Sequence, residues 1–215
     1  MNTRILTGSL VRLRAIEPRD LASLASWRND PASYGSFFEF EPLPVAGQEE
    51  WYRKHCFNDR EKNFVIEAVG KKDQGAIGMI SLLNINWRSR HAEIGRLLLG
   101  ESRFRGLGYA PEAALLVGEY AFDHLNLHKL YCDVLASQTR AISMYRKFGF
   151  VDEGIRREHV FKRGSYEDVI VLAHFRREYL RRNRHAHVRE LIARRAAALN
   201  RKAGVSLART SSGTP

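Results

Sequence analysis

The feature of this sequence that most restricts its fold is a short glycine turn between a strand-like and a helix-like segment. The turn reads Arg103-Phe-Arg-Gly-Leu-Gly-Tyr-Ala110. The apolar segment His91–Leu99 precedes it, and Tyr109–His124 follows with apolar residues at helical spacing. A tight turn at a helix start leaves several backbone N–H groups pointing the same way, beside the positive end of the helix dipole. With Arg103 and Arg105 adding charge, the turn favours a phosphate or pyrophosphate as its ligand.

The turn by itself does not decide between ligand binding and packing. A glycine-rich turn also allows a strand and a helix to pack closely, and that role needs no phosphate. The turn is not a Walker loop, because no Gly-Lys-Ser/Thr follows it. A dinucleotide-binding fold is also disfavoured, because the regular βαβ series and the ribose-binding acid are missing. The segments on either side of the turn must therefore specify the ligand.

Those segments predict an α/β fold with a mixed sheet. Antiparallel strands come first, then a strand–helix–strand–helix passage, then a final hairpin, which implies helices on the faces of the sheet. The predicted strands are Leu10–Arg14, Asn63–Ala68, Ala76–Ile85, His91–Leu99, Lys129–Leu135, Val151–Lys162 and Tyr166–Phe175. The predicted helices are Pro18–Trp27, Gln48–Phe57, Tyr109–His124 and Thr139–Phe148.

Three motifs in the expected order resemble the GNAT acetyltransferase superfamily over about residues 8–175. Arg103-x-x-Gly106-x-Gly108 is similar to its R/Q-x-x-G-x-G/A signature, and Ala92-Glu-Ile-Gly95 is similar to its fourth strand. Arg140–Phe150 resembles its A-I-x-L-Y-x-K-x-G-F helix. Trp27-Arg-Asn29 and the closing hairpin resemble the branch of ribosomal-protein, polyamine and amino-sugar N-acetyltransferases.

The resemblance implies a bent mixed sheet of six to seven strands, splayed between the fourth and fifth, that binds acetyl-CoA and releases CoA. The pantetheine arm would pair with the backbone around Leu97–Leu99, and the pyrophosphate would lie on the N–H groups of Arg105–Ala110. At Gln138 the family usually has Asn facing the cofactor arm, so this contact is where the sequence departs from the pattern. The cofactor-binding residues implied are Leu97, Leu98, Leu99, Arg103, Arg105, Gly106, Leu107, Gly108, Tyr109, Ala110, Gln138 and Arg140.

Two residues match the family's proton-transfer positions. An alkylammonium with a pKa near ~10.4 must lose a proton before it attacks, and a departing thiolate with a pKa near ~8.5 leaves better when protonated. Glu93 lies at the Glu position of the A-E-I stretch and is the candidate base, acting directly or through water. Tyr145 matches the motif's Tyr and is the candidate acid. The alternatives are a solvated strand carboxylate for Glu93 and a core aromatic for Tyr145.

The sequence does not identify the acceptor amine. The candidate acceptor-site residues are Phe38, Glu39, Glu41, Trp87 and His159. The aromatic and acidic segment Phe37–Glu41 would suit a polyamine, although its aromatics can equally pack down as a loop. Basic residues on the other side, including Arg88, Arg90 and His159, would suit the diphosphate of an amino-sugar nucleotide. The two clusters predict substrates of opposite charge.

The basic character of the chain lies mainly in its C-terminal segment. The formal charge is +11, and residues 176–215 contain eleven Lys and Arg against two acids, which leaves +2 for residues 1–175. We therefore expect an acetyltransferase domain over 1–175 and a basic helical extension with a disordered end over 176–215. Val188, Leu191, Ile192 and Leu199 form the predicted apolar side of that helix. A structural or solvated role, including packing across a homodimer, is favoured over contact with RNA or the ribosome, because no aromatic follows Tyr179 for base stacking.

These observations predict a small-molecule N-acetyltransferase that acts by direct transfer. An N-terminal acetyltransferase of a ribosomal or other protein is one alternative, and a non-catalytic acyl-CoA-binding module is another. No apolar run is long enough to span a membrane and no secretion signal is present, so a cytoplasmic location is expected. Cys56 and Cys132 have no His or Cys neighbours at ligand spacing, so neither a metal nor a disulfide is expected.

Overall fold

The computed structural model describes residues 6–38, 41–69, 75–181 and 186–210. The strands are β1 (Val11–Ala15), β2 (Lys62–Ala68), β3 (Gly75–Asn86), β4 (His91–Leu99), β5 (Lys129–Leu135), β6 (Val151–Lys162) and β7 (Ser165–Phe175). The helices are α1 (Leu21–Asn29), α2 (Val45–His55), α3 (Tyr109–Glu119), α4 (Thr139–Phe148), α5 (Arg176–Arg181) and α6 (Ala186–Thr210). The 3₁₀ turns are Pro18–Asp20, Pro31–Ser36 and Ser102–Phe104, and a π turn, Tyr120–His124, continues α3.

All seven strands form one mixed sheet in the order β1-β2-β3-β4-β5-β7-β6. Every neighbouring pair is antiparallel except β4 and β5, which run parallel. The β4–β5 pairing covers only His91, Ala92 and Glu93 of β4, and the two strands separate beyond Glu93. The predicted splayed mixed sheet is therefore confirmed.

A β-bulge in β4 accompanies the point where the strands separate. The register between β3 and β4 shifts between Gly95 and Leu98, and Arg96 has a positive φ of 50°. An extra residue in one strand bends that strand and increases its twist. The Arg96 side chain reaches residues at the start of β2, where it donates to Glu61 at 2.6 Å and to Asn63 at 3.0 Å. These contacts stabilise the bulge, and the bulge helps to open the gap between β4 and β5.

Helix α3 packs against the sheet through a continuous apolar surface. Ala113, Leu116, Val117 and the residues around them are buried in one core with β1, β3 and β4. Glu112 is the buried exception, and its carboxylate accepts the backbone N–H groups of residues 9–11 at 2.6–2.7 Å. The start of α3 is thereby held against the N-terminal end of β1.

The C-terminal helices pack on the same core. Tyr179 of α5 is fully buried, stacks on Phe122 at 4.9 Å and donates to Asp123 at 2.7 Å. Three residues of α6, Val188, Ile192 and Ala196, are buried in this core cluster. Leu191, which we expected on the apolar side of this helix, is 60% exposed. The division of the chain at residue 175 stays a prediction.

Candidate active site

One edge of β4 is open where the predicted pantetheine contacts lie. Leu98 and Leu99 pair with Met79 and Gly78 of β3 on one side. On the other side, among the described strands, β5 has already diverged. Gly78 permits this close approach, because a Cβ there would lie 2.1 Å from the Leu98 carbonyl oxygen. The backbone from Leu97 to Leu99 thus has a side that no described strand pairs with, and an extended amide chain can pair there as an extra strand, with the Leu99 carbonyl already accepting from Arg105 at 3.2 Å.

The glycine turn has the backbone geometry that an anion site needs. Gly106 and Gly108 have φ values of 74° and 103°, in the left-handed region that favours glycine. Gly108 is the N-cap of α3, so the amide groups that follow it point out of the helix start. The Arg105 N–H is already used, since it donates to the Ser102 carbonyl at 3.0 Å. The amides available to a phosphate therefore begin at Gly106.

The two arginines of the turn make contacts within the protein. Arg105 reaches back to the Leu99 carbonyl at 3.2 Å and to the Ser33 hydroxyl at 3.4 Å, which ties the turn to the end of β4. Arg103 donates to Glu101 at 2.6 Å and lies 4.6 Å from the centre of the Phe104 ring. Of the remaining turn residues, Leu107 packs against the core, Tyr109 is buried edge-to-face against Phe104, and Ala110 is half-buried.

Glu93 lies where β4 and β5 part, opposite Tyr131 in the parallel register. Its Oε2 accepts a hydrogen bond from Asn84 Nδ2 at 2.9 Å. Burial is the largest influence and raises the pKa of the Glu93 carboxyl above its usual 4.5, and the nearby charge of Asp133 raises it further. The Asn84 hydrogen bond opposes this shift. A carboxylate with a raised pKa is a stronger base than an ordinary surface glutamate, so Glu93 suits proton removal.

Tyr145 of α4 lies in the main hydrophobic core. It is 5% exposed, and its ring packs 5.1 Å from that of Phe150. Burial raises the pKa of its phenol well above 10, and Cys132 and then Glu93 contribute in the same direction. The phenol is therefore held in its protonated form, which a proton donor requires. Cys132 is itself buried.

The α4 candidates lie at the start of that helix. Gln138 is the half-buried N-cap residue, and its N–H donates to the Leu135 carbonyl at 2.9 Å. Arg140 is exposed, two residues further on. Both lie beyond the end of β5, next to the gap that β4 and β5 leave between them. Their role in binding a cofactor stays a prediction.

The predicted acceptor residues do not form one cluster. Phe38 packs against Leu135, Val160 and Val169, and the preceding carbonyl of Phe37 accepts Lys162 Nζ at 2.6 Å. The packed alternative for this loop thus holds for Phe38. Glu41 and His159 are exposed, and Glu39 lies outside the described residues. Trp87 is 44% exposed beside a cleft of about 470 Å³ that Asn84 and Tyr131 also line.

Sequence reasoning missed the groups that surround Glu93. Asn84 comes from β3, Asp133 from β5 and Arg156 from β6. Arg156 pairs with Asp133 Oδ2 at 2.5 Å, while the buried Oδ1 accepts no hydrogen bond from the described residues. Asp133 alternates with the buried residues Cys132 and Val134, and this was the available signal that its side chain shares a face with Tyr131.

An open strand edge followed by a glycine turn at a helix start is the arrangement expected of an acyl-carrier-dependent transferase. Residues 11–151 match the acetyltransferase (GNAT) domain family, and the chain belongs to that family. The predicted acetyltransferase class is thereby confirmed.

Several polyamine acetyltransferases are similar to this chain. It is 34% identical over 177 residues to spermidine N(1)-acetyltransferase of Vibrio cholerae, a match that covers 82% of this chain and 99% of the relative. It is also 34% identical over 170 residues to that of Escherichia coli, covering 79% and 88%. The crystal structure of the Vibrio cholerae spermidine N-acetyltransferase in complex with CoA and spermine superposes with a TM-score of 0.73 at 32% identity, covering 80% and 99%.

Proposed function

We propose that this protein transfers an acetyl group from acetyl-CoA to a primary amine of a polyamine. The observation that carries the proposal is the identity of 34% with spermidine N(1)-acetyltransferase across 82% of the chain. The geometry supports the donor half: the free edge at Leu97–Leu99 fits the amides of pantetheine, and the turn at Gly106–Ala110 fits a pyrophosphate. Among the described residues no His, Cys, Asp and Glu cluster could hold a metal, and the proposal uses none.

The proposed reaction is a direct transfer in which the nitrogen loses two protons and the sulfur gains one. The thioester supplies the acetyl group. Glu93, whose pKa is raised by burial, takes the first proton from the ammonium group and later releases it to solvent, and the neutral nitrogen forms the new C–N bond. Tyr145 gives a proton to the sulfur as the C–S bond breaks, and the second proton of the nitrogen restores its phenol. The amine thus leaves as an amide and the carrier leaves as a thiol.

The charges near Glu93 support a cationic acceptor. Glu93 and Asp133 are two carboxylates close to each other where β4 and β5 separate. Asp133 is paired with Arg156 through Oδ2, and its buried Oδ1 has no donor among the described residues, so Glu93 is the carboxylate on which the argument for a cationic acceptor depends. A polyamine has several ammonium groups, so one can pair with a carboxylate while another is deprotonated at the thioester.

A second candidate acceptor is an amino-sugar nucleotide. It is favoured by one observation, that Arg60 and Arg88 line the cleft of about 470 Å³ next to Trp87. Two guanidinium groups there would bind a diphosphate and repel a polyamine.

One experiment tests these alternatives. Purified protein is incubated with acetyl-CoA and, separately, spermidine, spermine, an amino-sugar nucleotide and an Ala- or Ser-initiated peptide, while free thiol is followed. We expect kcat/KM for the polyamines to exceed that for the other amines by at least about tenfold, with one acetyl group added by mass. Preference for the nucleotide or the peptide would overturn the polyamine assignment. Binding of CoA without turnover of any amine would support the non-catalytic module.

We further propose that the enzyme assembles from several copies of the chain. The relative from Vibrio cholerae has a dodecameric structure. Here the edge strand β6 and its partner β7 expose Ile155, Phe161 and Tyr166, each at least 60%.

No helix in the described part of the chain is long and apolar enough to cross a membrane. A cytoplasmic location stays a prediction.

A further inference from the structure

A cleft of about 760 Å³ lies between the start of α3, helix α4 and the C-terminal helix α6. Gly108 and Pro111 are among the residues that line it, so the cleft adjoins the glycine turn. The family match ends at residue 151, and α6 lies beyond it. This cleft is therefore built partly by a segment that the family assignment does not cover.

The walls of this cleft are cationic and apolar. Arg140 and Lys147 of α4 and Arg195 of α6 line it, and none of the described side chains that line it is acidic. Arg146, also in the wall, is paired with Asp152 at 2.8 Å, whereas Arg140 and Lys147 form no ion pair with any residue that the structure describes. Met144 and Leu191 add apolar surface, and Leu191 is 60% exposed. This combination suits an aromatic ring that bears a phosphate.

Arg195 connects α6 to the glycine turn. Its guanidinium donates to the Gly106 carbonyl oxygen, and its Cδ packs 3.3 Å from where a Cβ of Gly108 would stand. The helix is held in this position by the buried residues Val188 and Ile192 and by a 2.6 Å hydrogen bond from Arg189 to Glu119. A charged donor is thus fixed at the mouth of the turn by packing rather than by solvent-exposed contacts alone.

We propose that α6 completes the cofactor site and binds the adenosine 3′-phosphate of CoA. The proposal rests on the proposed placement of the CoA pyrophosphate on the turn. If pantetheine runs from the turn along β4, the adenosine must leave in the opposite direction, and this cleft opens there. The 3′-phosphate is bound by Arg195 together with Arg140 and Lys147, and the adenine lies against Met144 and Leu191. The exposed apolar side chain of Leu191 would then be covered by the adenine ring.

The test compares Arg195→Ala with Arg194→Ala, using CoA and 3′-dephospho-CoA as ligands. Arg194 is the matched control, because it is adjacent, exposed and paired with Glu190 at 2.6 Å on the same helix. We expect Arg195→Ala to weaken CoA binding by isothermal titration calorimetry about tenfold, the loss of one charge-assisted hydrogen bond. We expect Arg194→Ala to change it less than about twofold. With 3′-dephospho-CoA, wild type and Arg195→Ala should bind alike.

The second ligand separates a specific contact from a structural effect. If removal of Arg195 only distorted the turn, both ligands would lose affinity equally, and that result would overturn the proposal, as would equal effects of the two substitutions. Because the titration needs no amine, it is independent of the acceptor. If Arg195→Ala binds CoA no better than 3′-dephospho-CoA, whereas wild type prefers CoA, the contact between Arg195 and the 3′-phosphate is supported even if no polyamine is acetylated. Failure of the wild type to bind CoA would overturn both the proposed role of α6 and the proposed function.

Discussion

Asn84 Nδ2 donates to Glu93 Oε2 at 2.9 Å, so the candidate base is oriented by an amide from the neighbouring strand. The same hydrogen bond stabilises the ionised carboxylate and lowers its pKa, whereas burial and the charge of Asp133 raise it. The net direction is upward from the usual 4.5. Asn84 therefore tunes the pH range over which Glu93 can accept a proton.

Replacing Asn84 should move the acid limb of the pH profile. Activity requires the carboxylate form, so kcat/KM rises with pH through the pKa of Glu93. Asn84→Ala removes the contact that lowers this pKa, and the limb should shift to higher pH in thiol-release assays across the acid range. Glu93→Gln is the control and should abolish the limb. A limb that survives in Glu93→Gln would mean that another group is the base.

Tyr145→Phe should lower kcat by ~10²–10⁴-fold, the usual worth of general acid catalysis. The phenol is buried and its raised pKa keeps it protonated, so a proton is present when the sulfur departs. Affinity for acetyl-CoA, measured by titration, should stay unchanged. Tyr120→Phe is the matched control, since this half-buried tyrosine packs on Phe64 away from the opening. Near-wild-type kcat in Tyr145→Phe would remove Tyr145 from the mechanism.

The sequence predicted those parts of the site whose residues lie close together along the chain. The glycines of the turn, the strand before it and the aromatic of α4 each lie within one or two neighbouring elements, so their order along the chain predicted their placement. The ends of the helices were predicted less accurately. The helix predicted at Gln48–Phe57 is α2 at Val45–His55, and the expected basic helical extension contains α6 from Ala186 to Thr210.

The surroundings of Glu93 could not be predicted in the same way. They combine β3, β5 and β6, whose register depends on bulges such as those between Leu83 and Asn86 in β3 and between Asp152 and Gly154 in β6. A shift of one residue turns a side chain to the other face of the sheet, and a single sequence does not specify that shift. Leu191 shows the same limit for a helix, since the direction in which α6 docks is decided by the core that receives Val188 and Ile192.

Gly106→Ala should weaken acetyl-CoA binding at a modest cost in stability. A Cβ at Gly106 meets no atom within 4 Å, so the cost comes from the φ of 74°, about 1 kcal/mol of unfolding free energy. The added methyl group would lie over the amides that are to receive a phosphate, so KM for acetyl-CoA should rise. Denaturant unfolding and steady-state kinetics measure the two effects.

Gly118→Ala is the matched control for that substitution. A Cβ there also meets no atom within 4 Å, but Gly118 lies inside α3, where Ala is favoured over Gly by about 1 kcal/mol. This variant should be more stable than wild type and keep its KM. Equal KM values in the two variants would show that the phosphate does not approach Gly106.

Arg14→Met should destabilise the fold at neutral pH by about 2–3 kcal/mol, the worth of its charged hydrogen bonds. Arg14 donates to both oxygens of the buried Asp20 at 2.6 and 2.8 Å and to Glu67 at 2.5 Å. Burial raises the pKa of each carboxyl, but the hydrogen bonds outweigh it, and the pKa values lie below 3.8 and 4.5 respectively. Urea unfolding measures the change.

The sign of the pH dependence follows from these lowered pKa values. A carboxyl with a lowered folded-state pKa stabilises the fold above its ordinary pKa, and that stabilisation is lost as the pH falls through the folded value. The difference between wild type and Arg14→Met should therefore shrink below about pH 4. Arg12→Met, whose arginine is 59% exposed, is the control and should cost less than about 1 kcal/mol. A difference that persists unchanged at low pH would mean that the effect comes from packing.

Substitutions on the exposed β6–β7 surface should reduce the size of the assembly. Strand β6 is a twelve-residue edge, and Ile155 and Phe161 on it are 60% and 63% exposed. An edge of this length with apolar side chains is a template for pairing with another chain. Light scattering after size exclusion should give a multiple of the chain mass for wild type and a smaller species for Phe161→Lys. Val45→Lys, at a 56% exposed position on α2, should leave the mass unchanged. If wild type already elutes with the mass of one chain, this surface is not an interface between copies.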